Sequence, residues 1–315
     1  MGSAGASVAQ ADVEFDPFES SPAQLDECLQ EGLQRFQDHR ALYGSGGMER
    51  LTAGAARFEV LREDRVYRQI GDQALSVTIY RPRVSGPGRR FPALLQLHGG
   101  GWIGGSRDQL GDFSVRLAGM GMVVVTSDYR FAPRNPFPAA PEDVAAAAAW
   151  IGDRSDELGV DRQAGLTVFG FSAGANLAGG LAMSEGVASG RDFPVTRAVL
   201  LSGRADLMAP RSGGFDYSTY YLGGGRLEFP DLYRRASPIY QIPQASPRLP
   251  EVLLIHQLTD DVIPWEQSCR FENALRAQGG HPRLMLLPEP GPAHGPTGEN
   301  RQLVLQAMAY FLGLI

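Results

Sequence analysis

Apolar positions recur along this chain first at helical spacing and then at strand spacing. Leu25, Cys28, Leu29, Leu33 and Phe36 fall on one stripe of a helical period, and Ser21-Pro22-Ala23-Gln24 ahead of them has the form of a capping box with proline in the first turn. This predicts an N-terminal helix with one apolar face. From Val66 to Tyr80 the residues alternate, with Gly71-Asp72 in the middle, which predicts a β-hairpin; Arg81 to Arg90, rich in Pro and Gly, reads as a connector. Beyond it the apolar runs become short and lose their alternation. Leu94 to Leu97, Met122 to Thr126, Leu166 to Phe169, Ala198 to Leu201, Val252 to His256 and Arg283 to Leu287 read as buried strands, mostly separated by helical stretches such as Asp108 to Met120 and Pro141 to Leu158. Ala145 to Ala149 lets the second of those helices lie close to a sheet. The alternation predicts an α/β fold: a mainly parallel eight-stranded sheet with helices on both faces and the opening hairpin as its antiparallel edge.

One connection is too long for a simple loop. Arg204 to Pro250 carries Phe215, Tyr217, Tyr220, Tyr221, Phe229, Tyr233 and Tyr240 with the glycine run Gly223 to Gly225, and reads either as a lid or as a surface excursion packed by its own aromatics. The expected organisation is an N-terminal tail and cap helices over 1–60, a first core segment over 61–203, a lid over 204–250 and a second core segment over 251–315.

Composition narrows the partners. The net charge of −6 and pI near 5.5, with no basic stretch, argue against nucleic acid. Residues Met1 to Asp16 lack the basic and apolar regions of a signal peptide and read as a disordered tail. No apolar run reaches the length of a membrane span, so no membrane anchor and a cytoplasmic location are expected. Cys28 and Cys269 are far apart and lack metal-like spacing, which reads as two thiols in a reducing compartment.

The candidate chemistry begins at Ser172, centred in Gly170-Phe171-Ser172-Ala173-Gly174 directly after an apolar run. A serine hydroxyl becomes a useful nucleophile when a sharp strand-to-helix turn thrusts it towards a base, and flanking glycines leave room for that turn. The pentapeptide alone is weak evidence in a chain with 39 glycines. A base and an acid must follow strands, because functional groups of a parallel sheet gather at the carboxyl ends. His294 follows the last predicted strand, whereas His281 precedes it and His39 ends the first helix; His294 is the expected base. Asp260 is favoured over Asp261 as the acid, and either also suits a cap for the helix beginning near Pro264. The order Ser172, Asp260, His294 is that of an α/β-hydrolase triad. Three glycines in His98-Gly99-Gly100-Gly101-Trp102 suit an oxyanion loop, with the amides of Gly100, Gly101 and Ala173 as donors. Trp102, Phe171, Tyr217, Tyr220 and Tyr221 are the expected substrate contacts.

The same loop contains a rival reading. Gly99, Gly101 and Gly104 spell GxGxxG after a strand, and Asp128 ends the next strand near where a ribose-binding acid would stand. Bulky Trp102 and Ile103 beside the pyrophosphate position, and a hairpin ahead of the strand, argue against a dinucleotide fold. Asp128 reads instead as a structural carboxylate paired with Arg130 or another arginine. Neither metal-ligand spacing nor a phosphate-binding loop occurs, so no cofactor is expected.

HGGGW at 98–102, DYRFAP at 128–133, FPAAPED at 137–143 and GFSAG at 170–174 together resemble the hormone-sensitive-lipase-like esterases of the α/β-hydrolase fold. The resemblance implies a serine carboxylesterase with Ser172, Asp260 and His294 as triad, acting on a small-molecule ester, and the aromatic lid suggests a compact apolar acyl or aryl group. It also implies that the N-terminal helix forms part of a cap, and it admits a homodimer through an edge strand or the final helix. Phe171 stands where that family usually has aspartate, and Asp260-Asp261-Val262-Ile263-Pro264 departs from its usual acid segment, which opens the alternatives of an aryl formamidase or a lactone or amide hydrolase. A receptor-like member that binds without cleaving is the non-enzyme alternative, and the presence of His294 speaks against it.

Overall fold

A computed structural model of the chain describes residues 18–43, 57–84, 88–184, 193–210, 216–244, 249–288 and 293–315. The expected tail at 1–16 and Phe215 lie outside the described residues. Helix α1 (Pro22–Tyr43) begins at the foreseen capping box: the Ser21 amide donates to Gln24 Oε1 at 2.9 Å and the Gln24 amide to Ser21 Oγ at 3.3 Å. The hairpin follows as β1 (Val60–Ile70) and β2 (Gln73–Pro82), turning at Gly71-Asp72.

The remaining strands are β3 (Ala93–Leu97), β4 (Val123–Ser127), β5 (Leu166–Phe171), β6 (Val195–Leu201), β7 (Glu251–Gln257) and β8 (Arg283–Leu287). They complete an eight-stranded sheet of order β1-β2-β4-β3-β5-β6-β7-β8. Only the β1/β2 and β2/β4 pairings are antiparallel, so the hairpin supplies the antiparallel edge as expected. Crossover helices are α2 (Gly111–Gly119), α3 (Ala139–Asp153), the one-turn α4 (Ser155–Leu158), α5 (Ala173–Met183) and α8 (Glu266–Ala277), with α9 (Gly298–Phe311) after the last strand. The long helix expected over Pro141 to Leu158 is thus divided near Arg154, which adopts non-helical backbone angles between α3 and α4.

Two apolar layers hold the sheet. On one face Leu95, Val125, Val168, Ala198 and Leu254 pack against α3, α5 and α8; on the other Leu94, Val124, Phe169, Val199 and Ile255 pack against α2 and α9. Successive residues of one strand serve opposite layers, the outcome expected of strands buried on both sides. The excursion after β6 contains α6 (Ser218–Leu222), α7 (Pro230–Arg235) and a 3-10 stretch at Pro238–Gln244. Among the described residues no helix is long and apolar enough to cross a membrane.

The expectation of two free thiols is overturned: Cys28 of α1 and Cys269 of α8 form a disulfide across a separation of 241 residues. Packing of α1 against β8 and α8 creates this proximity, and spacing in the sequence carries no trace of it. The argument that placed the chain in a reducing compartment loses its cysteine support.

Candidate active site

The sheet order puts the carboxyl ends of β3, β5, β7 and β8 along one edge of the fold, and the loops that leave them carry the site. Ser172 sits between β5 and α5 with φ 55° and ψ −120°, a left-handed conformation that a non-glycine residue rarely adopts. Its amide donates to Leu201 O on the neighbouring strand at 2.9 Å, which ties down the turn. Gly174 is required two residues on: a Cβ there would lie 2.3 Å from Leu97 O and 2.5 Å from His98 O, so α5 could not cross β3 so closely. The sequence therefore trades side chains for proximity where Ser172 must project.

His294, in the loop after β8, places Nε2 2.8 Å from Ser172 Oγ and Nδ1 2.8 Å from Asp260 Oδ2. An ionised carboxylate only accepts, so Nδ1 carries the proton and Nε2 presents its lone pair to the serine hydroxyl. Phe171 packs beside the imidazole, with ring centroids 5.0 Å apart, and also lines the cleft. Asp260, after β7, is fully buried at its side chain. Its Oδ1 accepts from the amides of Val262 at 2.9 Å and Ile263 at 2.8 Å, leaving Oδ2 to face the histidines. Burial alone would raise its pKa, but the hydrogen bonds from His256 and His294 outweigh burial and hold the carboxyl well below its ordinary range. Asp261, the alternative acid, is exposed.

Gly100, Gly101, Trp102 and Ala173 line the cleft together with Ser172 and His294. Ala173 opens α5, so its amide has no acceptor within the helix and lies at the positive end of the helix dipole. The cleft holds about 500 Å³, and Ile103, Phe171, Tyr217, Val262, Ile263 and Pro264 form much of its apolar wall. Arg204 and Asp216 also line it but are paired, with Arg204 Nη1 at 2.8 Å from Asp216 Oδ1. Burial works to raise the Asp216 pKa, yet Ser218 and Arg204 prevail and lower it.

Of the expected aromatic contacts, Trp102, Phe171 and Tyr217 line the cleft and two do not. Helix α6 turns Tyr220 outwards, leaving it 44% exposed, and turns Tyr221 inwards, where its ring stacks on Trp102 at 4.6 Å between centroids. Neighbouring residues of a helix point about 100° apart, so Tyr220 and Tyr221 of α6 cannot face the same way, and Tyr217, which precedes the helix, is the one that reaches the cleft. No residue of α1, the expected cap helix, lines the cleft. Asp128 is a structural carboxylate paired with Arg107 at 2.5 Å, the second of the two arginine options, because Arg130 is taken by Asp143 at 2.7 Å. His98 stacks on Tyr129 at 4.3 Å, and burial pushes its imidazole pKa down. The residue that sequence reasoning missed is His256, fully buried at the end of β7 with Nε2 3.4 Å from Asp260 Oδ2. Its only signal was the strand-end position that also singled out Asp260 and His294.

The chain is similar to known esterases. Over 238 residues the chain is 33% identical to esterase LipC of Mycobacterium tuberculosis, covering 71% of this chain and 57% of LipC. Over 277 residues it is 30% identical to esterase LipQ of the same organism, covering 82% of this chain and 63% of LipQ. The chain thus spans about three fifths of the length of these curated relatives. A butyrate-bound esterase structure from the planctomycete Thermogutta terrifontis superposes with a TM-score of 0.64 at 26% identity, over 82% of this chain and 95% of that one. These esterases bear out the resemblance of the chain to hormone-sensitive-lipase-like esterases. The BD-FAE family model matches residues 77–275, well over half of the chain, and by that match the protein belongs to the BD-FAE family, on an α/β-hydrolase fold.

Proposed function

We propose that the protein is a carboxylic ester hydrolase that works through a serine acyl-enzyme. The observation that carries this reading is the hydrogen-bonded row from Ser172 Oγ through His294 to Asp260, at 2.8 Å for each link, beside the amides of Gly100, Gly101 and Ala173. In the first half-reaction Ser172 Oγ attacks the ester carbonyl and its proton passes to His294 Nε2. The negative charge that develops on the carbonyl oxygen meets the three amides, and Asp260 balances the imidazolium. Collapse breaks the bond to the alcohol oxygen, which takes the proton from His294. Water then gives its proton to His294 and attacks the acyl carbon, and the acid leaves as Ser172 recovers its hydrogen.

The substrate class follows from the cleft. A cavity of about 500 Å³ with mostly apolar walls suits small to medium acyl or aryl esters. Among the described residues that line it, the one arginine, Arg204, is paired with Asp216 at 2.8 Å, which disfavours an ionic substrate at that wall. We read the segment 204–250 as a lid, because Arg204, Pro210, Asp216, Tyr217 and Ser218 contribute one wall of the cleft. The esterase relatives support the reaction class. A fluorophosphonate probe tests the mechanism: it is expected to label the wild type at Ser172, to fail on Ser172→Ala and to react far more slowly with His294→Ala. A panel of p-nitrophenyl esters, run beside N-formylkynurenine and a lactone, tests the substrate. Turnover of esters supports the reading, whereas no labelling, or turnover only of the formamide or lactone, overturns it.

A further inference from the structure

The acid of the triad does not stand alone. Asp260 Oδ2 has two histidines against it: His294 in the cleft and His256 behind it, the latter with no exposed surface at its side chain. His256 Nε2 lies 2.9 Å from the backbone oxygen of Ile263 and 3.4 Å from Asp260 Oδ2. Both neighbours are acceptors only, so Nε2 must carry a hydrogen that it shares between them. Nδ1 lies 2.7 Å from Ser268 Oγ in the first turn of α8, and with Nε2 protonated the serine hydroxyl donates to Nδ1 in the neutral ring. The ring is therefore held at both nitrogens and has one orientation available.

We propose that His256 is a positioning residue for the reaction: it fixes the carboxylate of Asp260, and with it the imidazole of His294, by clamping the 260–263 turn against the first turn of α8. The proposal rests on the reading of Ser172, His294 and Asp260 as a triad. The turn it clamps is short and does two things at once. Asp260 Oδ1 is tied to the amides of Val262 and Ile263, while the Ile263 carbonyl is tied to His256, so one imidazole restrains both ends of the segment that presents Oδ2 to His294. Val262, Ile263 and Pro264 also line the cleft, yet His256 does not. A residue that acts only through Asp260 should affect the chemical step and leave substrate affinity nearly alone. The row Ser268, His256, Asp260, His294, Ser172 accordingly anchors the catalytic hydroxyl to the helix that follows β7.

His256→Met keeps much of the ring's volume and removes the donor, whereas His256→Gln carries an amide nitrogen to the place of Nε2. Misplacing a reacting group by about 1 Å costs on the order of 100-fold. For His256→Met we therefore expect kcat on a p-nitrophenyl ester to fall by about 10- to 100-fold with KM changed less than about twofold, and His256→Gln to recover most of the loss. The low-field proton resonance of the His294–Asp260 hydrogen bond should broaden or move in His256→Met and return in His256→Gln. Ser268→Ala, which keeps the imidazole but releases its far side, should lower kcat by a smaller factor and covers the case in which the methionine variant does not fold. Wild-type kcat in His256→Met, or in Ser268→Ala should the first not fold, overturns the proposal. So does a loss in His256→Met that appears wholly in KM, or one that glutamine fails to rescue. Absence of turnover and of fluorophosphonate labelling in the wild type would instead overturn the triad reading on which it stands.

Discussion

Replacing Asp260 by asparagine separates the two adjacent carboxylates and tests the polarity of the whole row. In the native turn Oδ1 is committed to the amides of Val262 and Ile263, at 2.9 and 2.8 Å, and Oδ2 accepts from His294 Nδ1 at 2.8 Å. Asparagine has one acceptor oxygen. Two fixed backbone donors hold it at the Oδ1 position, and the new NH2 group then faces the Nδ1 hydrogen of His294, donor against donor. The imidazole relieves that conflict by moving its hydrogen to Nε2, where it can no longer accept from Ser172 Oγ. The lost charge-assisted bond accounts for about 1.5 to 3 kcal/mol. The wrong tautomer adds to it, and in serine triads of known behaviour the same exchange lowers kcat by about 10⁴-fold, or about 5 kcal/mol of barrier.

The assay is p-nitrophenyl ester hydrolysis at saturating substrate, with Asp261→Asn as the matched control. Asp261 is exposed one residue along, and its variant should retain the wild-type rate. Purified Asp260→Asn should still bind substrate, because its side chain is shielded from the cleft by the histidine. A kcat within about tenfold of wild type in Asp260→Asn would refute the assignment of the acid. So would an equal collapse in Asp261→Asn.

The depressed pKa of Asp260 has a thermodynamic consequence. Because its folded-state pKa lies below the unfolded value, the carboxylate contributes stability above the unfolded pKa and loses it as pH falls through the folded one. The melting-temperature gap between wild type and Asp260→Asn should thus persist at neutral pH and narrow only in strong acid; a gap that closes by pH 6 contradicts the shift. Gly101→Ala should lower kcat by about 10- to 1,000-fold, since its φ of 59° disfavours a side chain and a Cβ would lie 2.7 Å from the Tyr217 ring, displacing an oxyanion donor; an active variant would remove Gly101 from that role. Reducing the Cys28–Cys269 bond, which spans 241 residues, should cost about 2 to 5 kcal/mol by chemical denaturation, and two freely titrating thiols in the untreated native protein would contradict the bond itself.

The fold was legible because burial on both faces leaves a strong mark: short runs such as Leu94 to Leu97 or Leu166 to Phe169, each with one polar residue among apolar ones, have few alternatives once helical stretches separate them. What escaped the sequence depends on direction or on distant contact. Nothing in the spacing of Cys28 and Cys269 records that α1 lies against α8. Three tyrosines at 217, 220 and 221 announce an aromatic cluster, but only the placement of α6 decides that the first faces the cleft, the second solvent and the third Trp102. His256 was hidden for a related reason, since a histidine ending a buried strand reads alike whether it fills a core or braces a neighbour.

The case of Asp260 shows why a structural and a chemical reading of one residue need not compete. In the sequence, a carboxylate ahead of Val262-Ile263-Pro264 was equally suited to tie down the turn before a helix and to orient a base, and the adjacent Asp261 offered itself for either task. The structure divides the work between the two oxygens of a single side chain: Oδ1 holds the turn through two backbone amides, and Oδ2 meets His294. The turn geometry is thus the means by which the acid is aimed. Asp261, whose side chain is directed to solvent, can take part in neither. A local hydrogen bond that sequence reading treats as a rival explanation is here the reason that the carboxylate reaches the imidazole, and the same logic extends one step further, through Ile263, to His256.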